Sequence, residues 1–158
     1  MYQCTRTFSK EAVMASKNVE TFRAAHQAFN RRDFNAVVNA MTEDFTYEDH
    51  ARSMTFRGRV GFKEFMQGWV AAFSNAAVSE PTYIDGGVIV VAEFAGRGIN
   101  DGPMGPLPAT GRPMSLPFCE IMRFNDDGQI VSGAAYFDQM SIMVQLGHAQ
   151  PAGAASAG

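Results

Sequence analysis

Cysteine is nearly absent: the 158 residues contain two, Cys4 and Cys119. Neither belongs to a Cys-x-x-Cys pair or to a Cys/His cluster at zinc spacing. A disulfide framework and a structural zinc are therefore excluded, and two free thiols are expected. Charge is scarce as well, at 18% Asp, Glu, Lys and Arg, below the roughly one quarter of an average domain. The net charge is −3, and Lys and Arg are not clustered, which excludes a surface that neutralises nucleic-acid phosphates. No apolar run approaches the roughly 18 residues of a membrane-spanning helix. The opening residues carry no apolar core of a secretory signal, so a soluble, cytoplasmic chain is expected. Gly96-Arg97-Gly98-Ile99-Asn100-Asp101 fails the dinucleotide-binding glycine pattern, and no nucleophile elbow is present. Glu48, Asp49 and His50 are consecutive, which splits them across the two faces of a strand, so no metal is expected.

What the sequence has is apolar residues, 46% of the chain with 13 Phe among them, enough for one domain with a substantial core. Residues 1–16 read as a flexible arm, 17–147 as a single domain, and the small-residue stretch 148–158 as a disordered tail. The first half is helical. Asn18 reads as an N-cap, and Val19, Phe22, Ala25, His26 and Phe29 recur at helical spacing. Asp33 caps a shorter helix with Phe34, Val37, Val38 and Met41 on its apolar face. Phe45 to Asp49 alternates as a short strand. A third helix spans about 60–73, with Phe62, Phe65, Met66, Trp69 and Phe73 on one stripe. The second half is β. Strands near 78–84, 88–95, 114–124 and 129–137 are separated by Asp85-Gly86-Gly87, by a Gly/Pro-rich loop at 98–112 and by Asn125-Asp126-Asp127-Gly128. Asp138 starts a closing helix with Met140, Met143 and Leu146. Helices followed by hairpins give an α+β fold: three N-terminal helices packed on a curved, mostly antiparallel sheet, as a cone whose mouth is the natural pocket.

Three strings carry a family resemblance. Ala28-Phe29-Asn30-Arg31-Arg32-Asp33 precedes Asp44-Phe45-Thr46-Tyr47-Glu48-Asp49. Pro108-Ala109-Thr110-Gly111-Arg112 precedes Arg123-Phe124-Asn125-Asp126-Asp127-Gly128-Gln129-Ile130-Val131. Gln145-Leu146-Gly147 closes the series. In order and spacing these resemble the ketosteroid isomerase and SnoaL-like polyketide cyclase branch of the NTF2-like superfamily, over roughly residues 18–147. The resemblance implies a cone-shaped fold and chemistry by proton transfer next to a carbonyl, with no cofactor.

Three residues are candidates for that chemistry. Asp49 shares strand parity with Phe45 and Tyr47, so it is expected to face into the cone, where lost hydration makes a carboxylate a better base. Glu120 interrupts the apolar run Leu116 to Phe124. Burying it ionised and alone is costly, so it is expected to be paired or protonated. The resemblance gives it the place of an acid that donates a hydrogen bond to the substrate oxygen and so stabilises an enolate. His26 lies on the apolar stripe of the first helix and is a second candidate base. Tyr47, Met66, Trp69, Met122 and Phe124 are expected to line an adaptable apolar pocket. Two family positions are changed. The isomerase tyrosine of the first helix falls on Ala25, and the cyclase acid falls on Ala135. The expectation is an isomerase or cyclase acting on a small hydrophobic carbonyl compound; the alternative is a non-catalytic binder of a small hydrophobic molecule. Strands 88–95 and 114–124 are apolar on both faces, which points to a homodimer through the outer face of the sheet.

Overall fold

The structure, a computed structural model, describes residues 10–151 and 153, with side chains from Lys17 onward. Cys4 and residues 1–9 of the expected arm over 1–16, and residues 152 and 154–158 of the expected tail over 148–158, lie outside the described residues. The chain runs α1 (Lys10–Asn30), α2 (Phe34–Asn39), β1 (Met41–Asp49), β2 (Met54–Arg57), α3 (Gly58–Ala72), β3 (Ala77–Asp85), β4 (Ile89–Ile99), β5 (Pro113–Phe124), β6 (Ile130–Phe137) and α4 (Gln139–Leu146). The six strands form one sheet in the order β2-β1-β6-β5-β4-β3. Every neighbouring pair is antiparallel except β1 and β6, which run parallel.

Local chemistry sets the element ends. Asp33 caps α2 by accepting from the Ala36 amide at 3.0 Å. Asp138 caps α4 through the Met140 and Ser141 amides, and Gly147 ends that helix in the left-handed region at φ 82°, where a side chain would be strained. Asn100, fully buried, organises the loop before β5. Its amide donates to the Ala72 and Gly102 carbonyls, and its oxygen accepts from the Thr110 amide.

Two core clusters share the inner face of the sheet. The larger packs Phe22 of α1 and Phe62 and Met66 of α3 over Phe45, Tyr47, Val90, Ala92 and Met122. The smaller seats Ile142 and Leu146 of α4 with Phe73, Met114 and Leu116. Helices on one face and solvent on the other produce the alternating burial of β4 and β5.

Four details differ from the sequence-based expectation. α1 begins at Lys10, eight residues before Asn18. Asn18 is not a cap but a buried tie, its amide donating to the Gly87 carbonyl at 2.9 Å and joining α1 to the β3–β4 turn. Met41, expected on the face of α2, opens β1 instead, where it is fully buried. β2 was not anticipated: at four residues, mostly exposed, it carries no hydrophobic alternation.

Candidate active site

Strand register assembles the site. Asp49, Ala135, Glu120, Ala92 and Tyr83 form one cross-strand row over β1, β6, β5, β4 and β3. Residues paired this way point to one face, and here that face is the inner one, with Asp49, Ala135, Glu120 and Ala92 all buried. The next row sets Tyr47 beside Gly133 and Met122. Gly133 is required there. A Cβ at that position would stand 2.8 Å from a Tyr47 ring carbon and 2.6 Å from the Met122 sulfur. The missing side chain lets the Tyr47 ring lie over β6 and reach β5.

At the centre is a buried hydrogen-bonded group. The Tyr47 hydroxyl donates to Oε1 of Glu120. His26 Nε2 lies 2.9 Å from Oε2 of the same carboxyl, and His26 Nδ1 lies 2.8 Å from the Tyr83 hydroxyl. Glu120, His26 and Tyr47 are 7%, 6% and 1% exposed, so each depends on the others for hydrogen bonds that water would otherwise supply. Burial, reinforced by the Glu120 carboxyl, holds the Tyr47 phenol well above its ordinary value, so it stays a neutral donor. Burial also pushes Tyr83 up to about 12, opposed by the Arg23 guanidinium over its ring.

This group forms one wall of a cavity of about 90 Å³ between the helices and the sheet. His26, Glu120, Tyr47, Met66, Trp69 and Met122 all line it, and so does Ala135. Phe124 does not; it is buried in the core below. Asp49 does not line it either. Its carboxylate, with no exposed side-chain surface, accepts from the Arg52 backbone amide at 3.0 Å and from the Arg52 guanidinium at 2.6 and 2.5 Å. That guanidinium sits over the Trp69 ring at 5.0 Å and the Phe65 ring at 5.7 Å, both cavity residues. The structure thus brings His26 and Glu120 together and holds Asp49 apart from them, across Ala135. Arg97 contacts Glu80 on the surface and not Glu120.

Tyr83 and Arg52 were not singled out in the sequence. Tyr83 is two strands from Glu120 in the same row, but a register irregularity in β3 between Ser79 and Thr82 hides its parity. Arg52 lies in a turn with Ser53 at φ 53°, and no periodicity reports on a turn side chain. Among the described residues no group of three or more His, Cys, Asp or Glu is placed to hold a metal, and no helix is long and apolar enough to cross a membrane.

A curved sheet backed by helices in this strand order is the NTF2-like, ketosteroid isomerase-like fold. The chain belongs to the SnoaL-like polyketide cyclase family, whose family model matches residues 19–146. Solved structures agree on the fold. A protein of Jannaschia sp. CCS1 assigned to the SnoaL-like polyketide cyclases superposes with a TM-score of 0.78 at 20% identity, covering 89% of this chain and 96% of that one. A polyketide cyclase assignment from Xanthomonas campestris pv. campestris gives 0.73 at 22% identity, covering 84% and 98%. A protein with a ketosteroid isomerase-like fold from Catenulispora acidiphila, bound to trimethylamine, gives 0.70 at 24% identity, covering 81% and 92%. No curated protein matches the sequence.

Proposed function

We propose that the chain is a cofactor-independent enzyme that transfers a proton α to the carbonyl of a small hydrophobic compound, as an isomerase or cyclase does. The observation that supports this reading is the Tyr47–Glu120–His26 group, buried and fully hydrogen-bonded at the wall of an otherwise apolar cavity. Both nitrogens of His26 are engaged, so the imidazole works through Glu120 as one acid/base unit. With the mobile proton on His26, the Glu120 carboxylate takes a proton from carbon. With the proton on Glu120, the neutral acid donates to an enolate oxygen. Tyr47 is a second neutral donor for that oxygen once its hydroxyl turns from Glu120. Proton transfer and oxyanion stabilisation are all that isomerisation or aldol-type closure asks of the protein. Asp49 remains a second candidate base, once Arg52 leaves it.

Ala135 favours a different reading. It replaces the acid of the cyclase pattern with a buried methyl that lines the cavity. On that reading the chain binds a small hydrophobic molecule without turning it over.

Deuterium exchange into the α-carbon of small cyclic and aryl ketones separates the two. An enzyme exchanges them, and Glu120→Gln and His26→Gln each slow the exchange by about 100-fold or more, the scale of a general acid–base contribution. A parent that binds a naphthol yet exchanges none of the ketones is a binder.

A further inference from the structure

The buried group in the cavity wall has one member that is not buried. Glu120 and His26 are 7% and 6% exposed and Tyr47 is 1% exposed, whereas Tyr83 is only half-buried and is not a cavity residue. His26 joins the two environments. Its Nε2 meets Glu120 on the cavity side, and its Nδ1 meets the Tyr83 hydroxyl on the other. The rings of Phe22 and Phe94 lie beside the imidazole at centroid distances of 4.6 and 5.0 Å. Neither offers a polar atom, so among the described residues every polar contact of this side chain goes to Glu120 or Tyr83.

We infer that Tyr83 is the outer end of a proton relay that runs from Glu120 through His26 to solvent, so that the acid/base unit is recharged from the side away from the cavity. This rests on the reading of Glu120 and His26 as an acid/base unit. The relay balances as follows. Glu120 holds a proton taken from substrate carbon, and His26 carries its own proton on Nδ1, donated to the Tyr83 oxygen. The Glu120 proton passes to Nε2, the Nδ1 proton passes to the Tyr83 oxygen, and the original hydroxyl proton of Tyr83 leaves to water. Glu120 ends as a carboxylate. His26 ends neutral in its other tautomer, and Tyr83 ends as a phenol donating to Nδ1. Both end states satisfy every nitrogen, because a hydroxyl donates as readily as it accepts. The phenol stays neutral over the working range, its ordinary value pushed up to about 12 by burial. Besides Glu120, the charged groups facing it are Arg23, over its ring at 5.2 Å, and Glu20, which pairs with Arg23 at 3.4 Å, both on the exposed side of α1.

Tyr83 is therefore a positioning and relay residue that does not touch substrate. The relay predicts that removing its hydroxyl closes the path while leaving the cavity wall intact. Exchange of the His26 imidazole N–H with solvent, followed by NMR on the 15N-labelled full chain without ligand, reads this directly. Tyr83→Phe is expected to slow that exchange about tenfold or more. Tyr47→Phe, which removes a hydroxyl bonded to Glu120 but not to His26, is expected to leave it within twofold. Exchange as fast or faster in Tyr83→Phe than in the parent overturns the relay, as does an equal slowing in Tyr47→Phe. No substrate enters this measurement. A failed relay thus leaves ketone exchange by the parent untouched, and a parent that exchanges no ketone leaves the dependence on Tyr83 readable.

Discussion

Glu120 is the residue on which the site turns, because it accepts from one buried donor and pairs with a second. Removing it strands both. Glu120→Ala is expected to destabilise the fold by about 3–5 kcal/mol, the scale of a broken buried pair, measured by urea unfolding. Glu120→Gln should cost less than about 1 kcal/mol, the net value of a typical hydrogen bond. Its amide oxygen still accepts from Tyr47, and its N–H donates to His26 in the other tautomer. Equal losses in the two variants would show that the hydrogen bonds contribute nothing. Alkaline stability is a second residue-scale consequence. Tyr47 and Tyr83 keep their protons in the fold above the value of about 10 at which they ionise in the unfolded chain. The fold then binds more protons than the unfolded chain, so this contribution is whole below about pH 10 and is lost as pH climbs. For Tyr83 the loss runs up to about 12. Unfolding free energies from pH 9 to 12 should fall less steeply in Tyr83→Phe than in the parent; an unchanged slope would refute the assignment.

At the scale of elements, a glycine in β6 decides whether Tyr47 reaches its partner. Gly133→Ala brings a methyl into the Tyr47 ring and the Met122 sulfur, and overpacking of this kind costs about 1–3 kcal/mol. The tyrosine should swing off Glu120, so naphthol binding should weaken together with stability; weaker stability with unchanged binding would separate the two. Most of the elements were legible in the sequence because their signals are strong. Asp33 marked the start of α2, the stripe Phe62 to Trp69 marked α3, and Gly/Asn/Asp turns marked the hairpins. Glu120 was legible as a single carboxyl in an apolar strand, and His26 as a polar residue on an apolar stripe. Their contact was not, because it joins positions 94 apart through helix packing. The parity of Asp49 with Tyr47 was readable too, yet its partner Arg52 comes from a turn, where no repeat pattern applies. The start of α1 was missed because Asn18 reads locally as a cap while its side chain serves a distant carbonyl.

At the scale of the whole molecule, the outer face of the sheet is unpaired. Ile84, Ile89 and Tyr136 are 53%, 36% and 46% exposed there, and Tyr136 lines a concavity of about 570 Å³ together with Glu93 and Cys119. We propose that a second copy covers this face, since homodimer interfaces bury large apolar areas. Light scattering at micromolar concentration should give twice the chain mass, and Tyr136→Glu should shift it toward monomer. Cys119, a free thiol whose ordinary value is pushed up by burial, should react with a thiol reagent faster in that variant. A monomeric parent would rule the arrangement out.

The parallel pairing of β1 with β6 has a consequence for how the protein is born. Tyr47 and Gly133 are neighbours in the sheet although 86 positions separate them, and the hairpins β3–β4, β4–β5 and β5–β6 close far shorter loops. Short loops close first because their entropy cost is smaller. The meander β3 to β6 should therefore form while β1, paired only with β2, waits to join β6, and the wall that carries Tyr47 is added last. On the ribosome, a chain that has already extruded both N-terminal helices has no strands to lay α1 on until β3 and β4 emerge. Its apolar helix faces meanwhile depend on the surrounding machinery to stay unaggregated. Pulsed hydrogen exchange during refolding should find the β4 and β5 amides protected before those of β1. Simultaneous protection would mean instead that the sheet closes in a single step.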